Sequence, residues 1–258
     1  MKNKLSIELI KIPVTSFIIV LFSFGNLLSQ DATEIIRKAD KHVRGNTSIV
    51  EMSMTVERPD WSREIEMKSW EKDTKLALIL ITAPARDNGA SFLKRGKEVW
   101  NWLPTVERVI KIPPSMMMQS WMGSDFTNDD LVKESSIIYD YDHEVVGDSI
   151  IEGRDCYKIK MVPKPEAPVV WGLVYIWISK TDFLQMKVEY YDEDQFLINV
   201  MIMSEIKEMG GRFIPSVLTI TPIDKPENKT ILKYHSVVYD SPIKDSFFSE
   251  QNMKRLRK

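Results

Sequence analysis

A single cysteine, Cys156, stands in a chain of 258 residues. No intramolecular disulfide can form, so stability has to come from a buried core. Histidine is nearly as scarce. His42, His143 and His235 lie far apart and share no metal-ligand or catalytic spacing with one another or with the cysteine. The chain has no GxSxG, no HExxH, no phosphate-binding glycine loop and no GxGxxG, and no enzyme is expected. Basic excess is absent too: 35 Lys and Arg face 37 Asp and Glu. Without a positive field to neutralise phosphates, nucleic acid is not an expected partner. The tail Lys254-Arg255-Leu256-Arg257-Lys258 is the one basic run, and it reads as a solvated terminus. Asp125, Asp129 and Asp130 cluster without EF-hand spacing or its glycine, and read as capping and loop solvation. Cys156, between Asp155 and Tyr157, reads as a buried apolar residue rather than a nucleophile.

Near the N-terminus, Lys2, Lys4 and Lys11 precede an uncharged stretch whose apolar heart is Phe17 to Phe22, followed by the small residue Ser29 and polar Gln30 and Asp31. That order is the order of a secretory signal, and the short apolar heart, diluted by Pro13, Ser16, Ser23, Gly25 and Asn26, favours cleavage over a retained membrane span. Residues 1–29 are therefore expected to be removed, leaving 30–258 as one exported domain. No cysteine sits near the cleavage point to carry a lipid anchor.

The mature chain opens with a helix, Asp31 to Arg44, with Ala32, Ile35, Ile36, Ala39 and Val43 on one face and Gly45-Asn46 as its stop. Strand alternation follows: Val50, Met52, Met54 and Val56 point one way, Glu51, Ser53, Thr55 and Glu57 the other. Pro59-Asp60 turns this strand into a hairpin with Arg63–Glu71. Further strands are read at 75–82, 91–95, 98–103 and 108–112. A second run occupies 139–147, 156–163, 170–179, 184–191, 197–207, 212–222 and 229–239, with turn residues between. Strands joined by short turns without intervening helices make an antiparallel sheet. Several are apolar on both faces: Trp171, Leu173, Tyr175 and Trp177 back onto Val174, Ile176 and Ile178. Either a curled sheet around an apolar interior or a sandwich with a large core explains this.

The stretch Trp100–Leu131 interrupts the strands. Trp100 and Trp102 share a strand face. Pro113-Pro114 and Gly123 bracket a predicted helix in which Met118, Trp121 and Met122 fall at i, i+3, i+4. Methionine repacks around variable shapes, so this face fits a lid over an apolar cavity. It also fits a plug at one end of a β core. Phe126 follows in the loop, and Thr127 with Asp130 has capping-box spacing for another short helix. Trp100, Trp102, Met118, Trp121, Met122 and Phe126 are the candidate cavity and lid residues.

Four phrases resemble a less studied branch of the outer-membrane lipoprotein-sorting family, the periplasmic lipoprotein carriers and their relatives. They are Pro84 to Gly89, Phe92-Leu93-Lys94, Val99 to Pro104 and Met122 to Leu131. The resemblance covers the mature chain. It implies a mainly β fold with short helices: a half-open antiparallel β-barrel closed by a helical lid or plug, with an apolar cavity that shields acyl chains. It implies a periplasmic, monomeric carrier of lipoprotein or lipid acyl chains, served by an inner-membrane exporter or donor complex, with no cofactor. The functional arginine of the best-known carrier has no matching position here; Arg86 and Arg95 lie near the matched phrases, and neither is assigned. A regulatory or exporter-associated protein-interaction module of the same fold is the alternative.

Overall fold

The computed structural model describes residues 23–133, 137–165, 167 and 169–256. The basic and apolar parts of the expected signal lie outside the described residues. Helix α1 spans Ser23–Arg44, starting upstream of the expected Asp31. It stops where the sequence places its stop, with Gly45 left-handed at φ 71° and its N–H donating to the Lys41 carbonyl.

Thirteen strands form one antiparallel sheet. The first six are β1 (Thr47–Arg58), β2 (Trp61–Lys72), β3 (Leu76–Ala83), β4 (Ser91–Arg95), β5 (Glu98–Leu103) and β6 (Arg108–Lys111). The remainder are β7 (Tyr141–Ile151), β8 (Arg154–Pro163), β9 (Leu173–Ser179), β10 (Gln185–Tyr191), β11 (Leu197–Met209), β12 (Arg212–Pro222) and β13 (Lys229–Tyr239). Two helices are short: α2 (Asn128–Lys133) and α3 (Glu250–Arg255). The strand order is β6-β5-β4-β3-β2-β1-β13-β12-β11-β10-β9-β8-β7. Two meanders are thus joined at their middle by the pairing of β1 with β13, whose register runs from Ser48↔Tyr239 to Glu57↔Lys229.

The expected barrel needs correction. The sheet is open: β6 and β7 are its edges and do not pair with each other. It is nevertheless curled. Trp121 stacks on Phe92 of β4, and Asp130, nine residues on, binds Trp171, which stacks on Tyr190 of β10. A flat sheet would hold β4 and β10 about 34 Å apart at ordinary strand spacing. Register shifts at Glu51/Met52, Glu66/Met67, Val145/Gly147, Gln185/Lys187 and Tyr190/Tyr191 supply bends.

The curl explains strands that are apolar on both faces. On β3 and β4, Ile79, Ile81 and Phe92 enter the inner core, whereas Leu78 and Leu93 join a separate outer cluster with Trp102, Phe248 and Met253. On β9, Val174, Ile176 and Ile178 are inner and Trp177 is outer, beside Cys156, Leu184 and Met186. Trp171 departs from the alternation read in the sequence. It precedes β9 and turns into the inner core. The concave side is filled by α1, through Ala32, Ile36 and Ala39, and by the segment linking the two sheet edges. The convex side of β2–β6 is covered by the C-terminal segment and α3, which the sequence patterning did not reveal.

Candidate functional site

The segment from Ile112 to Lys133 carries the chain from one sheet edge to the other. The predicted single helix is not there. Two 3-10 turns, Pro114–Met116 and Trp121–Gly123, replace it, and Met122 is left-handed at φ 51°. The prolines do set the first turn. Beyond it the backbone finds partners across a fold-back instead of along a helix. Trp121 N–H donates to the Phe126 carbonyl, Asn128 N–H to Gln119 and Asp129 N–H to Met117. The i, i+3, i+4 face therefore does not exist. Trp121 is 1% exposed in the inner core, Met122 is half-buried, and Met118 is 62% exposed. Met117, not Met118, is the buried methionine, packed with Val99.

The capping box is present as read. Thr127 N–H donates to Asp130 Oδ2 at 2.8 Å, and Asp130 N–H donates to Thr127 Oγ1 at 3.1 Å. Asp130 Oδ1 also accepts from Trp171 Nε1 at 3.0 Å. Burial pushes the Asp130 carboxyl up from its ordinary range. Among the described residues no cluster of His, Cys, Asp and Glu could hold a metal.

A residue that sequence reasoning passed over anchors this segment. Arg58, at the end of β1, reaches Asp125 with both terminal nitrogens, at 3.1 and 3.0 Å, and donates to the Gly123 carbonyl at 3.2 Å. Thr230 Oγ1 on β13 donates to the same carboxylate at 2.7 Å. The pair is largely buried, with side chains 14% and 8% exposed, and its fork geometry is that of a strong charge-assisted contact. No spacing rule links Arg58 to Asp125, 67 residues on. Arg86 and Arg95 do not take this role: Arg86 pairs with neighbouring Asp87, and Arg95 is exposed.

The six candidate residues divide. Trp121, Met122 and Phe126 lie in or against the inner core. Trp100 and Trp102 share a face as expected, but it is the convex one, with Trp102 under Phe248 and Met253. Met118 and Phe126 line a groove of about 320 Å³ together with Val170, Trp171 and Ile198, a size in the range of ligand sites. Among the described residues, two voids of the inner core measure about 80 Å³ beside Ile36 and Ile214 and about 60 Å³ beside Asp130 and Trp171. Neither holds a ligand of ordinary size.

His143 of β7 ties α1 into this interior. Its Nε2–H donates to the Ile137 carbonyl at 2.6 Å, and Thr33 of α1 donates to Nδ1 at 2.9 Å. Burial is the main cause of its lowered pKa. The unfolded chain thus takes up a proton below about pH 6.5 that folded His143 resists. Stability held above that pH is lost as pH falls toward the folded value. Asp130 has the opposite sign: its stabilisation is present at low pH and lost as pH rises through its elevated value. We expect His143→Gln to flatten the fall in Tm between about pH 7 and pH 5. Parallel wild-type and variant curves would refute this.

A family model described as that of an uncharacterized protein matches residues 73–255. The chain belongs to that family. No curated protein matches its sequence. Solved structures show the fold of this family member. A DUF1329 family protein from Desulfovibrio piger superposes with a TM-score of 0.79 at 20% identity, covering 88% of this chain and 99% of that one. A putative outer membrane lipoprotein-sorting protein domain from Vibrio parahaemolyticus gives 0.78 at 20% identity, covering 88% and 100%. A LolA superfamily protein from Nitrosomonas europaea gives 0.74 at 19% identity, covering 85% and 98%. The family member thus shares the fold of these three structures.

Proposed function

We propose that this family member is a periplasmic carrier that takes acyl chains of lipoproteins or lipids into the concave side of its sheet for transport toward the outer membrane. The observation that carries the reading is the makeup of that side. Both meanders turn apolar side chains onto one interior, and what closes it is a linking segment held by side chains and a few fold-back hydrogen bonds. Each methylene taken from water contributes about 0.8 kcal/mol. The closed voids are too small for an acyl chain, so loading requires the segment from 112 to 133 to move. The groove beside Met118 and Phe126 is where that movement would begin. The likeness of fold to lipoprotein-sorting structures supports the cargo class.

Export fits this reading. Ala32, Ile36 and Ala39, the buried residues by which α1 meets the inner core, all lie beyond residue 29 and would be kept on cleavage. Among the described residues no helix is long and apolar enough to cross a membrane.

Native mass spectrometry of protein purified from its own envelope tests the proposal in one spectrum. We expect bound masses of lipid or acylated peptide that delipidation removes, on a chain beginning near Gln30. A lipid-free chain that co-purifies stoichiometrically with a protein partner would instead favour the interaction-module alternative. An intact Met1 start would refute cleavage.

A further inference from the structure

The convex side carries a second concavity that the carrier reading does not use. Between the C-terminal segment and the sheet lies an open groove of about 580 Å³. Its apolar floor is Ile49, Trp70, Ile243 and Phe247, with the Trp70 and Phe247 rings 5.4 Å apart. Its rim carries Lys244 and Arg255 and no carboxylate. In a chain with more acids than bases, that is a local inversion of charge. Both cations are exposed, and neither makes an ion pair among the described residues. The carboxylate beside Lys244, Asp245, is engaged by Lys72 at 2.6 Å. Ser246 and Gln251 add polar groups to the rim. Lys254 lies next to it over the Trp102 ring, 5.7 Å from the centroid, and Arg257 and Lys258 follow in the sequence.

An apolar floor whose two charged lining residues are both cations, with exposed Asp245 and Glu250 beside them, suits one chemistry: an anionic head on a hydrocarbon stem. We propose that this groove docks the protein on a bilayer that displays anionic phospholipid. The headgroup phosphate would sit between Lys244 and Arg255, and the first methylenes would lie on Trp70 and Phe247. Phe248 and Met253, both 0% exposed, anchor the C-terminal segment and α3 to the sheet, so the site is presented on a rigid face. The concave interior stays free while the convex side is seated. This inference is independent of the carrier reading, because a peripheral membrane contact would serve a protein-binding module equally.

Full-length mature protein should be sedimented with sucrose-loaded vesicles of phosphatidylcholine, with and without phosphatidylglycerol. We expect pelleting only with phosphatidylglycerol, weakening as salt is raised. The double variant Lys244→Gln/Arg255→Gln should bind roughly thirtyfold more weakly, at an unchanged Tm because both side chains are exposed. Brominated acyl chains should quench part of the tryptophan emission on docking, and Trp70→Phe should remove that quenching. Equal pelleting with neutral vesicles, or none with either, would overturn the site. So would wild-type binding by the double variant, which would assign the attraction to Lys254 and the last two residues. Protein that stays in the supernatant carrying extracted lipid reports the concave interior instead, so failure of one reading is visible apart from the other.

Discussion

Replacing Trp121 with alanine is expected to lower the stability of the empty protein by about 3–5 kcal/mol, a fall in Tm of roughly 10 °C. The indole is 1% exposed and stacks on Phe92 at 5.2 Å between ring centroids. Its removal leaves a cavity in the inner core that the surrounding strands cannot close. Met118→Ser, three residues away, should change stability by less than about 0.5 kcal/mol, because that side chain is 62% exposed. Chemical denaturation of both variants without ligand makes the comparison. Similar losses at the two positions would mean that they share a buried face after all. If Trp121→Ala were nearly silent in the empty protein but abolished acyl binding, Trp121 would be a ligand contact alone and not part of the closed core.

Arg58→Met is the second large effect. It leaves Asp125, 8% exposed, with a buried charge and one remaining side-chain partner, Thr230. Breaking a buried pair from one side costs about 3–5 kcal/mol. Arg58→Lys should recover only part, since an ammonium cannot make the two-point contact. Where the cost appears is informative. If the linking segment opens as a unit, hydrogen exchange should accelerate at the amides of Trp121, Asn128 and Asp129, while the sheet stays protected. An apolar dye should then enter the interior faster. If the segment is a fixed plug, protection should fall across the whole sheet together with Tm, and the carrier mechanism would need another way in. Adding Asp125→Leu to Arg58→Met should restore stability relative to the single variant, because the stranded charge is gone.

Local rules settled much of this molecule before any contact was known. Strands β4, β5 and β12 fall where the alternation and turns place them, because a half-buried strand writes its period into adjacent residues. Gly45 ends α1 and Thr127 pairs with Asp130 through contacts spanning three or four residues, which is the range over which sequence spacing reports geometry. The four phrases pointed to a mainly β chain with a curled antiparallel sheet, but not to its open edges or to the missing lid helix. What sequence spacing could not reach was every decision made by residues distant in the chain. A helical period from Pro114 to Gly123 was a fair local solution, but the backbone there found hydrogen-bond partners at Phe126 to Asp129, and the shared face dissolved. Period two put Trp100 and Trp102 together without saying which side of the sheet they take. That depended on the C-terminal segment, about 150 residues on, covering the convex face. The pairing of β1 with β13 leaves the sheet with two free edges, and no local pattern distinguishes that from a closed barrel. Arg58 became a latch only when curvature carried Asp125 onto the end of β1. Sequence by itself determined the strands and most of the turns between them. Tertiary structure alone decided which apolar face is interior, because burial is a property of what lands opposite.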